Sequence, residues 1–132
     1  MSEIIWIDKP ETLTIHAQQL AAHGGRDGVR DAGLLESALA RPLNLLAYSE
    51  ETPSLTRLAA AYGFAIARNH PFVDGNKRTA LVVAFTFLLV NRLRVTAPKE
   101  DRYFAFYDLA AGKLSEDGLA QWLEANSEPV SK

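Results

Sequence analysis

Residues 80–90, Ala-Leu-Val-Val-Ala-Phe-Thr-Phe-Leu-Leu-Val, are apolar at every position except Thr86, and this run constrains everything around it. Its eleven residues fall well short of the ~20 needed to cross a bilayer, so the segment is expected as a buried helix of a soluble protein, with no membrane partner. A helix apolar on nearly every side has to be covered by other elements. With 132 residues the chain is long enough to bury about two-thirds of its unfolded surface in one domain. The expected fold is therefore all-α and compact: a single domain over 1–132, with about six helices around a central apolar helix. Its core is expected over about 10–125, with a frayed tail at 127–132.

Punctuation residues divide the chain. Residues 4–7 are expected to be extended, and Pro10 opens a first helix that runs to about residue 22 before Gly24 and Gly25 end it. Residues 25–31 read as a glycine-rich, charged connector without the strand-first context or Lys-Ser/Thr ending of a phosphate loop. A second helix is expected from Asp31, with Leu34, Leu35, Ala38 and Leu39 on one side. Pro42 and Pro53 then bracket an irregular stretch at 41–52. Ser54 caps a third helix with Leu55, Leu58, Ala59, Tyr62, Ala65 and Ile66 on helical spacings; Pro71 stops it near Asn69. The fourth helix, 76–92, contains the apolar run and is expected to be the central element. Residues 93–97 are short and partly β-branched. Thr96 and Pro98 are expected to cap and open a fifth helix to Gly112, and Ser115 to cap a sixth over 116–126.

Composition removes several classes of function. The absence of cysteine excludes disulfides, zinc-thiolate sites and a cysteine nucleophile, and fits a reducing, cytoplasmic setting. A formal net charge of −2 lacks the electrostatic footprint of a non-specific nucleic-acid binder, so no direct nucleic-acid partner is expected. Residues 1–6 carry no positive region ahead of an apolar stretch, as a secretory signal would.

Chemistry concentrates in His70-Pro71-Phe72-Val73-Asp74-Gly75-Asn76-Lys77-Arg78-Thr79, directly before the long apolar helix. A helix start presents unpaired N–H groups and the positive end of a dipole, which stabilise an anion before any side chain is counted. Lys77 and Arg78 are badly placed for a purely structural helix start, and a bound anion relieves that conflict. Arg supplies a planar fork matched to phosphate, and Lys a mobile point charge. His70 is a candidate general base, since imidazole exchanges a proton near neutral pH; alternatively it only ends a helix and bonds a carbonyl. Asp74 is a candidate Mg²⁺ ligand or, equally open from sequence, the N-cap of the next helix. Gly75 permits positive φ or close approach of a ligand, and Asn76 can cap the helix and donate to an oxyanion. Arg68 is a third candidate cation, or a solvated helix-end residue. Phe72 and Val73 are expected to anchor the loop to the core, and His16 and His23 to lie at the surface or the core edge.

This decapeptide resembles the Fic motif, His-Pro-Phe-x-Asp/Glu-Gly-Asn-Gly-Arg, except that Lys77 stands where glycine is usual. Lysine there, followed by Arg78-Thr79-Ala80-Leu81, is similar to the Doc (death on curing) branch of the family. So are Gly24-Gly25, Gly28-Val29-Arg30-Asp31, the run Leu34-Leu35-Glu36-Ser37-Ala38-Leu39, and Ala67-Arg68. The resemblance spans 10 to about 125. It implies a compact helical Fic fold and, for the Doc branch, a toxin of a type II toxin–antitoxin module. That activity is a protein kinase moving the γ-phosphate of ATP to a threonine of elongation factor Tu, which stops translation. By position it makes His70 the base and Asp74 the Mg²⁺ ligand, with Gly75, Asn76, Lys77, Arg78 and Arg68 on the nucleotide phosphates. ATP and Mg²⁺ are thus the implied nucleotide and metal, and a Phd-like antitoxin the implied partner. Residues 41–53 correspond to the flap beside the target groove. The inhibitory Ser/Thr-x-x-x-Glu-Gly/Asn segment of many Fic proteins is not found; Thr96 and Glu100 come nearest, followed by Asp101. Two other readings stay open: an AMP-transferring Fic enzyme using the same His70, and a non-catalytic phosphate-binding or partner-regulating module.

Overall fold

The structure is a computed structural model that describes residues 3–130. Six helices form in the order α1 (Lys9–His23), α2 (Ala32–Tyr48), α3 (Leu55–Asn69), α4 (Asn76–Val90), α5 (Lys99–Ala110) and α6 (Glu116–Ala125). Two short strands, β1 (Leu93–Val95) and β2 (Ser127–Pro129), complete the chain. The all-α expectation holds, and among the described residues no helix is long and apolar enough to cross a membrane.

Most helix starts follow from side chains that satisfy the open N–H groups of a first turn. Asp8 and Glu11 form a reciprocal capping box at α1, with the Asp8 carboxylate accepting the Glu11 N–H at 3.0 Å and Glu11 accepting the Asp8 N–H at 3.1 Å. Asp31, Ser54 and Ser115 cap α2, α3 and α6 through the N–H groups of Leu34, Arg57 and Gly118. Thr96 does not cap α5. Its hydroxyl donates to the Asn126 carbonyl at 3.0 Å, and Pro98 is the cap residue, without a side-chain bond.

The central helix is α3 rather than α4. It packs against α2, α4, α5 and α6, while Leu89 and Val90 near the end of α4 face solvent. Small residues decide this: Ala59, Ala60, Ala61 and Gly63 are buried and allow neighbours close on several sides. A Cβ on Gly63 would lie 3.0 Å from the Phe106 ring, so α5 is seated against bare backbone there. Fully buried Leu58, Ile66, Val83, Phe87, Phe106, Leu119 and Leu123 fill the space around this axis.

Two further expectations are corrected. Pro42 does not end α2; it lies inside a helix that continues to Tyr48, so only residues 49–52 of the expected irregular stretch are non-helical. Its ring is buried on the same side of the helix as Leu35 and Ala38. Residues 4–7 lead into α1 without helix; the Ile7 N–H donates to the buried Tyr62 hydroxyl, which donates to the Ile7 carbonyl. The tail is not frayed at 127–129: β2 pairs antiparallel with β1 in the register Leu93↔Pro129, Arg94↔Glu128, Val95↔Ser127. The rest of the expected frayed tail at 131–132 lies outside the described residues.

Candidate active site

The link between α3 and α4 turns on three residues. Pro71 disfavours helical geometry at His70, which adopts the left-handed region (φ 55°, ψ 54°) as the C-cap of α3. Holding a non-glycine residue there needs outside support. Arg30 provides it, donating from Nε to the His70 carbonyl at 2.7 Å and from Nη2 to the Asn69 carbonyl at 2.9 Å. A cation on the carbonyl end of a helix also complements its dipole. The connector ahead of α2 thus clamps the loop: Val29 bridges Phe72, and the Arg30 and Asp31 N–H groups both donate to the Pro71 carbonyl.

Asn76 locks the loop from the other side. It is buried, its Oδ1 accepting the Phe72 N–H at 2.9 Å and its Nδ2 donating to the Phe72 carbonyl at 2.9 Å. This side chain therefore holds the backbone and caps nothing. Phe72 is fully buried beneath, while Val73 is exposed. His16 stacks on Phe72 with ring centroids 3.8 Å apart and interplanar angle 9°. Its Nε2 lies 2.8 Å from the Asp74 carbonyl oxygen, an acceptor only, so Nε2 carries the donated proton.

The start of α4 is left open. Gly75 is the N-cap in left-handed geometry (φ 79°, ψ 17°) and offers no side-chain bond. Among the described residues the N–H groups of Asn76, Lys77 and Arg78 have no acceptor, and Lys77 and Arg78 have no acidic partner. Asp74 is not the cap either. Its carboxylate accepts N–H bonds from Arg26 at 3.2 Å and Gly75 at 3.0 Å, which hold its carboxyl below the usual range, helped by the charges of Arg26 and Arg78. An ionised, exposed carboxylate whose oxygens each keep a free lone pair suits a hard cation. No three His, Asp or Glu side chains cluster to cage a metal among the described residues, so Mg²⁺ there would take its other ligands from phosphate and water.

These groups face one cavity of about 530 Å³, lined by His23, His70, residues 74–78, Leu81, Tyr103, Phe106 and Tyr107. The structure brings together His70, Asp74, Gly75, Asn76, Lys77 and Arg78. It sets Arg68 apart: exposed on the last turn of α3, its guanidinium lies 5.7 Å from the Phe64 ring centroid and outside this lining. Sequence reading missed His23 and the aromatic side of the cavity, which come from α1 and α5. It also set His16 too far out, although Thr12, Ile15 and His16 share the buried side of α1. A base, an ionised carboxylate, an uncapped helix start and two cations around one cavity can bind a polyphosphate and deprotonate a hydroxyl beside it.

The family model described as Fic/DOC family matches residues 6–88, more than half of the chain. A curated relative named Toxin Doc, from Mycolicibacterium smegmatis, is 42% identical over 92 residues, covering 70% of this chain and 68% of that protein. A second, named Protein kinase doc, from Escherichia phage P1, is 38% identical over 89 residues, covering 67% and 70%.

Proposed function

Because this chain belongs to the Fic/DOC family and is a Doc relative, we propose that it is the toxin of a toxin–antitoxin pair and an ATP-dependent protein kinase. The observation that carries this reading is the uncapped start of α4, where N–H groups, Lys77 and Arg78, all without a partner among the described residues, open into the same cavity as His70 and Asp74. The names of the two relatives, a toxin and a protein kinase, support it.

In the proposed reaction the triphosphate of ATP lies along the N-terminus of α4. The N–H groups of Asn76, Lys77 and Arg78 and the two side-chain charges neutralise it. His70 takes the proton of the acceptor hydroxyl as that oxygen bonds to the γ-phosphorus. The bond from the γ-phosphorus to the bridging oxygen breaks, and ADP leaves with the electron pair. Asp74 is the residue that would hold Mg²⁺, whose charge, when bound, offsets that developing on the phosphates. Phosphoryl transfer asks mainly for positioning and charge neutralisation, so these groups suffice. Gly75 contributes the left-handed turn that opens the start of α4 toward the phosphates, and Arg68 is the weakest phosphate contact, since it lies outside the cavity lining. We further propose a threonine of elongation factor Tu as acceptor, a Phd-like antitoxin as partner, and the cytoplasm as the place of action.

The test is a translation extract incubated with the protein and ATP labelled at either the α or the γ position. Label transferred to a protein from γ alone, and lost with His70→Ala, is the expected result. Label retained from the α position makes this an AMP transferase. Growth arrest that persists with His70→Ala makes it a non-catalytic module.

A further inference from the structure

Arg68, which stands outside the first cavity, has its guanidinium over the ring of Phe64, part of the lining of a second. That second cavity, of about 360 Å³, lies between α2 and α3 and reaches Glu116 at the start of α6. We infer that it is the docking groove for an acidic segment of the acceptor protein, with the Arg68 guanidinium receiving a carboxylate. This rests on the proposed kinase reading and adds to it the chemistry by which the acceptor is chosen.

Both walls follow from helical spacing. Ser37, Arg41 and Asn44 share one side of α2, and Arg57, Phe64 and Arg68 one side of α3. Three arginines thus converge on one groove. Glu116 takes Arg41 and Asp117 takes Arg57, which leaves Arg68 without an acidic partner among the described residues. The Phe64 ring has two guanidinium groups against it, that of Arg41 at 5.3 Å and that of Arg68 at 5.7 Å from its centroid. An arginine held against a ring keeps the N–H donors at its edge free for a carboxylate. Helix-end duty does not account for Arg68, because the last carbonyls of α3 are already served by Arg30. The groove also ends where the acceptor has to be. Asn69 lines it, and His70, the next residue, lines the cavity at the start of α4. A chain lying in the groove thus ends beside the base, while the nucleotide keeps the first cavity to itself. A free inorganic anion would use Arg68 alone, whereas a peptide also uses the polar walls of Ser37, Asn44 and Asn69.

Transfer from γ-labelled ATP in a translation extract tests the assignment, measured against extract concentration at fixed ATP and against ATP at fixed extract. Asn44 is exposed, so a charge can be placed there without disturbing α2. Asn44→Asp is expected to raise the extract concentration giving half-maximal rate by about threefold or more, and Asn44→Lys to lower it, both leaving ATP half-saturation within about twofold. Arg68→Glu is expected to raise the extract requirement by about tenfold, with Arg68→Lys between it and the parent. An extract requirement unchanged in both Asn44→Asp and Arg68→Glu overturns the groove and leaves the kinase reading standing. Losses of the same size in Asn44→Asp and Asn44→Lys overturn the acidic occupant, since bulk rather than charge would then decide. A shift of ATP half-saturation alone in Arg68→Glu also overturns it and returns Arg68 to the phosphates. Absence of γ-label transfer by the parent overturns the kinase reading itself.

Discussion

At the scale of single residues, the candidate site depends on groups that never meet the ligand. Gly25 lies at φ +128°, and a Cβ there would sit 2.9 Å from Leu20 Cδ2 and 3.1 Å from the Asp74 carboxylate. Gly25→Ala is therefore expected to cost about 1–3 kcal/mol of stability through backbone strain and to displace Asp74. A higher Mg²⁺ requirement for transfer, read in a Mg²⁺ titration, is the functional sign. His16→Ala removes the donor to the Asp74 carbonyl and the ring stacked on Phe72. It is expected to lower stability by about 1–3 kcal/mol in urea unfolding and to slow transfer, with His16→Gln recovering part of both by restoring a donor. Retention of full transfer by His16→Ala would show that the loop keeps its shape unaided. His70, Asp74, Lys77 and Arg78 were legible in the sequence because they are contiguous and badly matched to an ordinary helix start. His16 and Gly25 were not, because their meaning lies in contacts with Asp74, far along the chain.

At the scale of elements, the decisive unit is the junction where α3 ends and α4 begins. Arg30 holds that junction through two carbonyls. Arg30→Ala is expected to cost about 1–2 kcal/mol and to reduce turnover more than nucleotide affinity, because His70 loses its fixed position. Urea unfolding and steady-state kinetics separate the two effects, and Arg30→Lys is expected to recover charge but not the paired geometry. Helix existence was readable, as were the helix start at Asp31 and the caps at Ser54 and Ser115. The errors arose where tertiary context outweighed a local rule. Proline at position 42 reads as a breaker, yet its ring is buried beside Leu35 and Ala38 within a continuous α2. Continuous apolarity marked α4 as the axis, but the small residues of α3 are what let other helices gather around it.

At the scale of the whole molecule, Tyr62 ties the N-terminal segment to the core. It is buried, makes both its hydrogen bonds to the Ile7 backbone, and burial pushes its hydroxyl up to about 12 from an ordinary value near 10. A folded-state value above the unfolded one gives stability that is complete below pH 10 and lost as pH rises toward 12. The loss is expected to reach roughly 2–3 kcal/mol. Tyr62→Phe is expected to be less stable at pH 7 by about 1–2 kcal/mol, with this part of the alkaline decline removed. Urea midpoints between pH 8 and 12 for both proteins check it; parallel curves would place the alkaline limit elsewhere.

The pairing of β1 with β2 has a consequence for how the cavity can change. Residues 96–126 set out beside Val95 and return beside Ser127, so α5 and α6 form an excursion whose two ends are pinned together by the strand pair and whose buried side packs on α3 and α4. The family match ends at residue 88, before that point. The cavity is thus assembled from two stretches of chain, one carrying the anion-binding helix start and the other the tyrosine pair, Tyr103 and Tyr107. Substitutions confined to the excursion can retune what lies against the tyrosines while His70 and its loop keep their supports.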